Sequence, residues 1–400
     1  MKNSSVDRIK LLYVAPRYHT NQVPIMQGFH KCDCQVMFLA QYEGVSEVHD
    51  YVDFRCLKQS WISKCLSRHI VKKHSPNQTE GKRMHFFIPA FFHTLCAIKK
   101  FQPDLVIMRE RYITNAVIYF ICRILRIKKC ILYVQQPIYD FENSGSKVKN
   151  FLKGMLFPKA AFSPIYYHGE NRCKIRKSNV YFVQLVVEGK NTGEIEKRDY
   201  LKDGILHFLD VGKYRDYKNH FFLIDAFSRL KEQSVPKLYQ VKLTIIGQVS
   251  NSDEEAYFTR LKQYVVEKGL ENVIELRKNI PFRDMEQLYL ENDVLLLPST
   301  YESAGMVILE AMEMGLCVAA SIYCGLSSYL EEYQCGYTFA LDSTQELEEV
   351  LLGLIKNPET VEQMGKKGYE TVHQHFLFQR YLEELNKLTE KEFGYTFYRE

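Results

Sequence analysis

The chain has 400 residues, 46% of them hydrophobic and 25% charged, values that suit two globular domains with sizeable cores and exclude a disordered or collagen-like polymer. Its eleven cysteines are scattered without a CxxC pair, which points to a reducing compartment and away from a disulfide scaffold or a zinc module. The net charge is a modest +5, no apolar run is long enough to span a bilayer as a helix, and the first eight residues lack an apolar signal core, so a cytoplasmic setting is expected.

Strand and helix patterns alternate along the whole chain, which favours parallel sheets. In the first half, strands are expected at 9–15, 35–39, 105–108, 130–134, 161–165 and 180–187, and helices at 22–30, 86–100, 112–125 and 148–156. A polar, charged stretch, 189–204, reads as a linker. Strands then recur at 206–211, 241–246, 273–276, 294–297 and 316–320; helices at 343–356 and 359–375 close the set, and 379–388 forms a last one.

Two segments of the second half carry chemistry. The apolar run 294–297 reads as a buried parallel strand, and Thr300-Tyr-Glu-Ser-Ala-Gly305 follows it into a short apolar helix. Strand, small-residue turn and helix start make an anion site, because the first amides of a helix lack partners; here these are the amides of Ala304, Gly305 and Met306. Glu310 lies among Val307, Ile308, Leu309, Ala311 and Met312, where a charge needs a polar partner; a ribose would serve. Glu313 reads as a solvated face. The other segment runs from Leu206 to His220: a strand ends at Val211, Gly212, Lys213 and Lys218 follow, and an amphipathic helix begins with Leu223, Ala226, Phe227 and Leu230 on one face. Cations at the carboxyl end of a parallel strand point into the crevice where such sheets bind ligands. Taken singly, a solvated Glu and a lysine-rich surface loop explain each segment as well; the two together read as a diphosphate clamp and a ribose hook.

The combination Val211-Gly-Lys…Lys218-Asn-His, Ile245-Ile-Gly247 and Leu297-Pro-Ser…Glu302-Ser-Ala-Gly…Glu310-Ala-Met-Glu-Met-Gly315 resembles the retaining glycosyltransferases of family 4, of the bacterial surface-polysaccharide type. The likeness is good over roughly 204–375 and holds only in outline before that. It implies an α/β GT-B fold, with two Rossmann-like doubly wound parallel-sheet domains facing a cleft. An acceptor-binding domain would span 1–188, a linker 189–204, a nucleotide-sugar-binding domain 205–376, and a helix at 377–400 would cross back to the first domain. The resemblance further implies that Gly212, Lys213 and Lys218 hold the donor diphosphate, that Glu310 accepts from the ribose hydroxyls, and that Glu302, Ser303, Ala304, Gly305 and Met306 hold the transferred sugar, with Glu302, Lys218 and Lys213 as the catalytic set. Lys213 stands where the family commonly has Arg, replacing a bidentate grip by a point charge. The base pocket is expected near 277–280, which lacks the usual Gly. No metal or other cofactor is expected: the chain has no Asp-x-Asp pair, and two lysines can neutralise a diphosphate. UDP is the favoured donor base, GDP the next.

The first domain departs from the family. In place of a Gly-Gly turn after the first strand stands Ala15-Pro-Arg-Tyr-His-Thr-Asn21, which puts His19 and Asn21 forward for the acceptor unless Thr20 or Asn21 caps the helix. Arg109 and Arg111 are candidates for an acceptor phosphate, or else structural ion-pair members; His168 is a lesser candidate. Between Arg55 and Lys129, sixteen Lys and Arg face three acids, with Trp61, Phe86, Phe87, Phe91 and Phe92 interleaved. That mixture suits an anionic membrane surface, unless the aromatics are core. No nucleic-acid module is present. The reading is a peripheral enzyme on the inner face of the membrane, acting on a lipid-linked saccharide. Its rivals are a GT-B nucleotide-sugar epimerase and a non-catalytic scaffold binding sugar nucleotides or membrane.

Overall fold

The computed structural model describes residues 8–43, 49–66, 86–135, 154–165, 179–189, 198–232 and 241–397. The chain divides into two compact units: one takes Met1–Ile165, Asn171–Glu188 and Phe378–Glu400, the other Gly189–Leu377.

The first unit is built on a parallel seven-stranded sheet of β1 (Lys10–Ala15), β2 (Gln35–Ala40), β3 (Asp53–Cys56), β4 (Leu105–Arg109), β5 (Cys130–Tyr133), β6 (Ala161–Ser163) and β7 (Val180–Phe182), in the order β3-β2-β1-β4-β5-β6-β7. Its central strands are continuous apolar runs because both faces are covered. Helices α1 (Val23–Lys31), α2 (Phe91–Phe101) and α3 (Ile113–Ile124) bury one stripe each.

The second unit holds β8 (Leu206–Lys213), β9 (Val241–Gln248), β10 (Ile274–Lys278), β11 (Val294–Leu297), β12 (Cys317–Ser321) and β13 (Tyr337–Phe339), all parallel in the order β10-β9-β8-β11-β12-β13. Helices α4 (His220–Glu232), α5 (Ser252–Glu267), α6 (Met285–Leu290), α7 (Val307–Glu313), α8 (Ser327–Glu332), α9 (Gln345–Lys356) and α10 (Glu359–His375) alternate with them. α5 starts on a reciprocal cap, since Asn251 accepts from the Glu254 amide at 3.0 Å while the Glu254 carboxylate accepts from the Ser250 amide at 2.7 Å. Strand order reverses between β8 and β11, so the loops leaving these two strands part at the sheet's switch point, where ligands bind in such folds.

The last helix, α11 (Phe378–Phe393), belongs to the first unit. It buries Tyr381, Leu382, Leu385 and Leu388 in that unit's core beside Phe29. Gly28 makes this approach possible: a Cβ there would lie 2.1 Å from the Phe378 ring.

Several expectations are corrected. The helix expected from 86 begins only at Phe91, because Pro89 pairs as an isolated bridge with Gln59. Strands β3 and β13 have no counterpart in the expected set; both lie at sheet edges, one mostly exposed and the other three residues long. The described end of the expected linker is built into the second unit, with the Arg198 guanidinium donating to the Met314 carbonyl at 2.7 Å and the Tyr200 hydroxyl to that of Gly315 at 2.7 Å. His168, residues 136–150 and 151–153 lie outside the described residues. No described helix is long and apolar enough to cross a membrane.

Candidate functional site

At the switch point, the two singled-out segments meet. After β8 the chain turns through Asp216–Lys218, and Asn219 takes a left-handed conformation (φ +59°) that releases α4. Arg215 pins this turn by an ion pair to the buried Glu254 at 2.7 Å. Burial pushes the Glu254 pKa up, but its Ser250 and Arg215 bonds outweigh that and hold it at about 2. The Tyr217 carbonyl accepts from the Thr300 amide at 2.8 Å, stitching the turn to the loop after β11. That loop is tied in turn to the segment after β12, through Glu302 N to Tyr323 O (3.2 Å), Gly325 N to Glu302 O (3.0 Å) and Leu326 N to Ala304 O (2.9 Å).

The result is a cavity of about 660 Å³ whose walls include Gly212, Lys213, Lys218, Asn279, Ile280 and Glu302. Lys218 is only 6% exposed, and its ammonium is ion-paired to Glu302. Burial alone would lower the Lys218 pKa, but Glu302, helped by Asp210, raises it overall, so the charge is secure at neutral pH. Lys213 is exposed at the rim. Asn279, in the stretch 277–280 expected to form the base pocket, adopts φ +58°; its side-chain oxygen accepts from the Val249 amide at 2.8 Å. Asn tolerates this left-handed geometry better than other side chains. Arg277 and Lys278 turn away from the cavity to Glu275 and Glu255.

Not every expected residue joins this wall. Glu310 is half-buried and accepts from the Tyr289 hydroxyl at 2.8 Å. Ser303 is half-buried and Ala304 buried, Gly305 takes φ +77°, and Met306 caps the seven-residue α7. Glu313 overturns its reading as a solvated face: it is 5% exposed and accepts from the Gly189 amide at 2.7 Å.

Beneath Lys218 lies a pair for which the motif reading had no role. Asp210 and His220 are both fully buried, with Oδ2 and Nε2 3.3 Å apart, and His220 Nδ1 lies 3.1 Å from the Tyr257 hydroxyl. Burial drives the Asp210 pKa up to about 7, more than Lys218 and the Val211 amide pull it down. Burial, with Lys218 beside it, drives that of His220 down to about 3. The signal was present in the sequence: an Asp inside the apolar strand 206–211 must meet something.

In the first unit, the candidates sit at the carboxyl ends of β1, β4 and β5. Arg17 Nε donates to His19 Nε2 at 3.0 Å. The helix cap is neither Thr20 nor Asn21: Gln22 occupies that position, and its side chain accepts from the His19 amide at 2.8 Å. Arg109 donates to Gln135, whose own amide lies 3.0 Å from the Tyr133 hydroxyl. Burial lowers the Arg111 pKa against the pull of Glu110. Glu110 holds a left-handed backbone (φ +66°), and Asn115 straps it by donating to the carbonyls of Arg109 (2.6 Å) and Glu110 (2.7 Å).

The family model described as "Glycosyl transferases group 1" matches residues 193–371. The trehalose synthase of Pyrococcus horikoshii is 27% identical over 184 residues, 44% of this chain and 43% of that protein; the chain thus spans less than half the length of such curated relatives. Among solved structures, a glycosyltransferase from Rickettsia africae superposes with a TM-score of 0.71 at 14% identity, covering 97% of this chain and all of that one. Anabaena Alr3699/HepE, solved with UDP and glucose, gives a TM-score of 0.65 at 14% identity, covering 95% and 99%. Residues 193–371 thus match the glycosyl transferases group 1 model, and the two parallel-sheet units have the GT-B fold.

Proposed function

We propose that this protein is a retaining, metal-independent glycosyltransferase that moves a sugar from a nucleoside diphosphate, UDP by preference, to a lipid-linked saccharide in surface-polysaccharide synthesis. The observation that carries the reading is the convergence of Lys213, Lys218 and Glu302 on one cavity at the sheet's switch point. As the glycosidic bond stretches, negative charge grows on the leaving diphosphate. Ammonium groups fixed beside it before the reaction lower the barrier, because they need not reorganise. Lys218 is fixed in this sense, held by Glu302 and roofed over Gly212. The base would lie along Asn279 and Ile280, and Glu310 with Tyr289 would take the ribose hydroxyls. Glu302 and the 303–306 turn would hold the sugar, and the departing phosphate would take the acceptor proton during same-face attack. His19, Asn21, Arg109 and Arg111 of the first unit are the proposed acceptor contacts. The UDP preference has support from the UDP complex of the Anabaena protein.

A thermal-shift panel of UDP, GDP and ADP sugars tests the reading. A ligand at about 100 times its dissociation constant adds roughly 2.7 kcal/mol of stability. A shift with a UDP sugar is expected; no shift with any of them would remove the donor reading. Product analysis with donor alone separates the epimerase rival, which would yield a new nucleotide sugar.

The inner face of the membrane is the proposed place of action. Phe92 and Trp61 are 79% and 78% exposed, and Ile62, Phe120 and Ile124 also face solvent, whereas Phe87 and Phe91 turn into the core. Main-chain bonds from Ser60 to Ile88 and from Ala90 to Lys58 join these segments, and the Phe91 and Phe120 rings lie 6.2 Å apart. Neither α2 nor α3 contains an acid, while Lys58, Lys64, Lys99, Lys100 and Arg123 are exposed around them. Each such cation contributes about 1 kcal/mol near an anionic surface. The protein should co-sediment with phosphatidylglycerol-containing vesicles, and Trp61→Ser with Phe92→Ser should release it; equal sedimentation with pure phosphatidylcholine would count against the electrostatic part.

A further inference from the structure

We infer that Asp210 is a positioning residue for the diphosphate clamp, setting the net charge around Lys218 by gaining a proton when an anion occupies the cavity. The inference rests on the reading that this cavity takes a diphosphate.

The geometry is a buried layer under the cavity floor. Asp210 sits on β8 two residues before Gly212, with no exposed surface. Facing it are His220 from α4, at 3.3 Å, and the charge of Lys218 from the turn above. Glu302 from the loop after β11 bears on it too, as do Tyr214, Tyr257 of α5 and Cys324 after β12. Of these, the tyrosines and Cys324 are neutral near pH 7, since burial pushes all three upward. His220 is neutral as well, because its pKa lies far below. The electrical balance therefore lies with one ammonium and two carboxylates. With Asp210 ionised, the layer is net negative and opposes a diphosphate. With Asp210 protonated, Lys218 and Glu302 cancel, and Lys213 adds attraction at the rim.

Burial pushes the Asp210 pKa up to about 7, so the proton is present below that pH and lost above it. An added anion nearby raises the carboxyl pKa further, so binding near or above pH 7 must draw in a proton. Asparagine has the shape of protonated aspartate and no charge to lose. It should therefore reproduce the tight-binding state at every pH.

The experiment is calorimetry of UDP and of GDP with the full chain, on wild type and Asp210→Asn, from about pH 6 to about pH 9. Wild-type affinity should fall above pH 7 by up to about tenfold per pH unit, the limit for one linked proton. Asp210→Asn should match wild type at pH 6 and bind more tightly at the alkaline end. The nucleotide's own ionisation is common to both proteins and drops out of the comparison. Titration of wild type in two buffers of different ionisation enthalpy should reveal proton uptake, which decides the matter even if the variant does not fold. Parallel pH profiles, or binding without uptake, would overturn the role of Asp210 alone. Failure of both nucleotides to bind at any pH would instead remove the nucleotide reading beneath it.

Discussion

Lys218→Met should lower kcat/KM by about 10²–10³-fold, the usual cost of removing a preorganised group aimed at developing charge. The methionine keeps the length of the stem that packs on Gly212, so the loss reports on the ammonium rather than on a hole. A second effect accompanies it. Glu302 loses the partner that neutralises it in a largely covered position, and a half-broken ion pair of this kind destabilises by several kcal/mol when fully buried, less here because Glu302 keeps some solvent. The double variant Lys218→Met with Glu302→Gln separates the two. It should regain most of the lost thermal stability and none of the activity. Recovery of activity along with stability would make the lysine a structural element and nothing more. Direct measurement of kcat/KM beside urea unfolding of wild type, Lys218→Met, Glu302→Gln and the double variant is sufficient.

Gly212→Ala should cost activity heavily and stability hardly at all. A Cβ on residue 212 would lie 2.7 Å from Lys218 Cε, 2.9 Å from Cδ and 3.1 Å from Nζ. Those atoms are the far end of a flexible side chain, so folding can accommodate the methyl by moving the ammonium. Displacing a catalytic group by about 1 Å can reduce turnover by about 100-fold. Gly247→Ala on the neighbouring strand is the contrast. Its Cβ would meet the Tyr214 ring at 2.5 Å, and that ring is fully buried with its hydroxyl 3.0 Å from the Ile245 carbonyl and 2.7 Å from that of Arg277. The ring has nowhere to go, so about 1–3 kcal/mol of overpacking should appear in unfolding curves. If Gly212→Ala instead unfolds the protein while leaving kcat/KM of the folded fraction intact, the glycine serves packing and not the clamp.

Much of the architecture was legible because parallel strands covered on both faces are simple apolar runs. Val294–Leu297 is one such run, and its ends needed no tertiary information. The edge strands β3 and β13 lacked this signature, one carrying Asp53 and Arg55 in four residues and the other being too short for any period. The site was legible to the extent that local rules reach. Lysines at the end of one strand and just beyond it, and a Glu–Gly turn after its neighbour, declared themselves separately, and the switch-point topology brings them together. That Lys218 and Glu302 bond each other was not legible, since it depends on a stitch between residues 84 apart. The burial of Glu313 depends in the same way on the Gly189 amide, 124 residues distant. Asp210 was overlooked for another reason: it sits in a strand, and motif reading looks at turns.

The most direct measurement is a crystal structure of the protein soaked with UDP. The account predicts phosphate oxygens about 3 Å from Lys218 Nζ, with the uracil ring beside Asn279 and Ile280 in the 660 Å³ cavity. A nucleotide bound instead at the opposite, amino-terminal edge of the same sheet, in the 990 Å³ hollow beside Lys202 and Lys242, would contradict it, as would an empty cavity at saturating UDP.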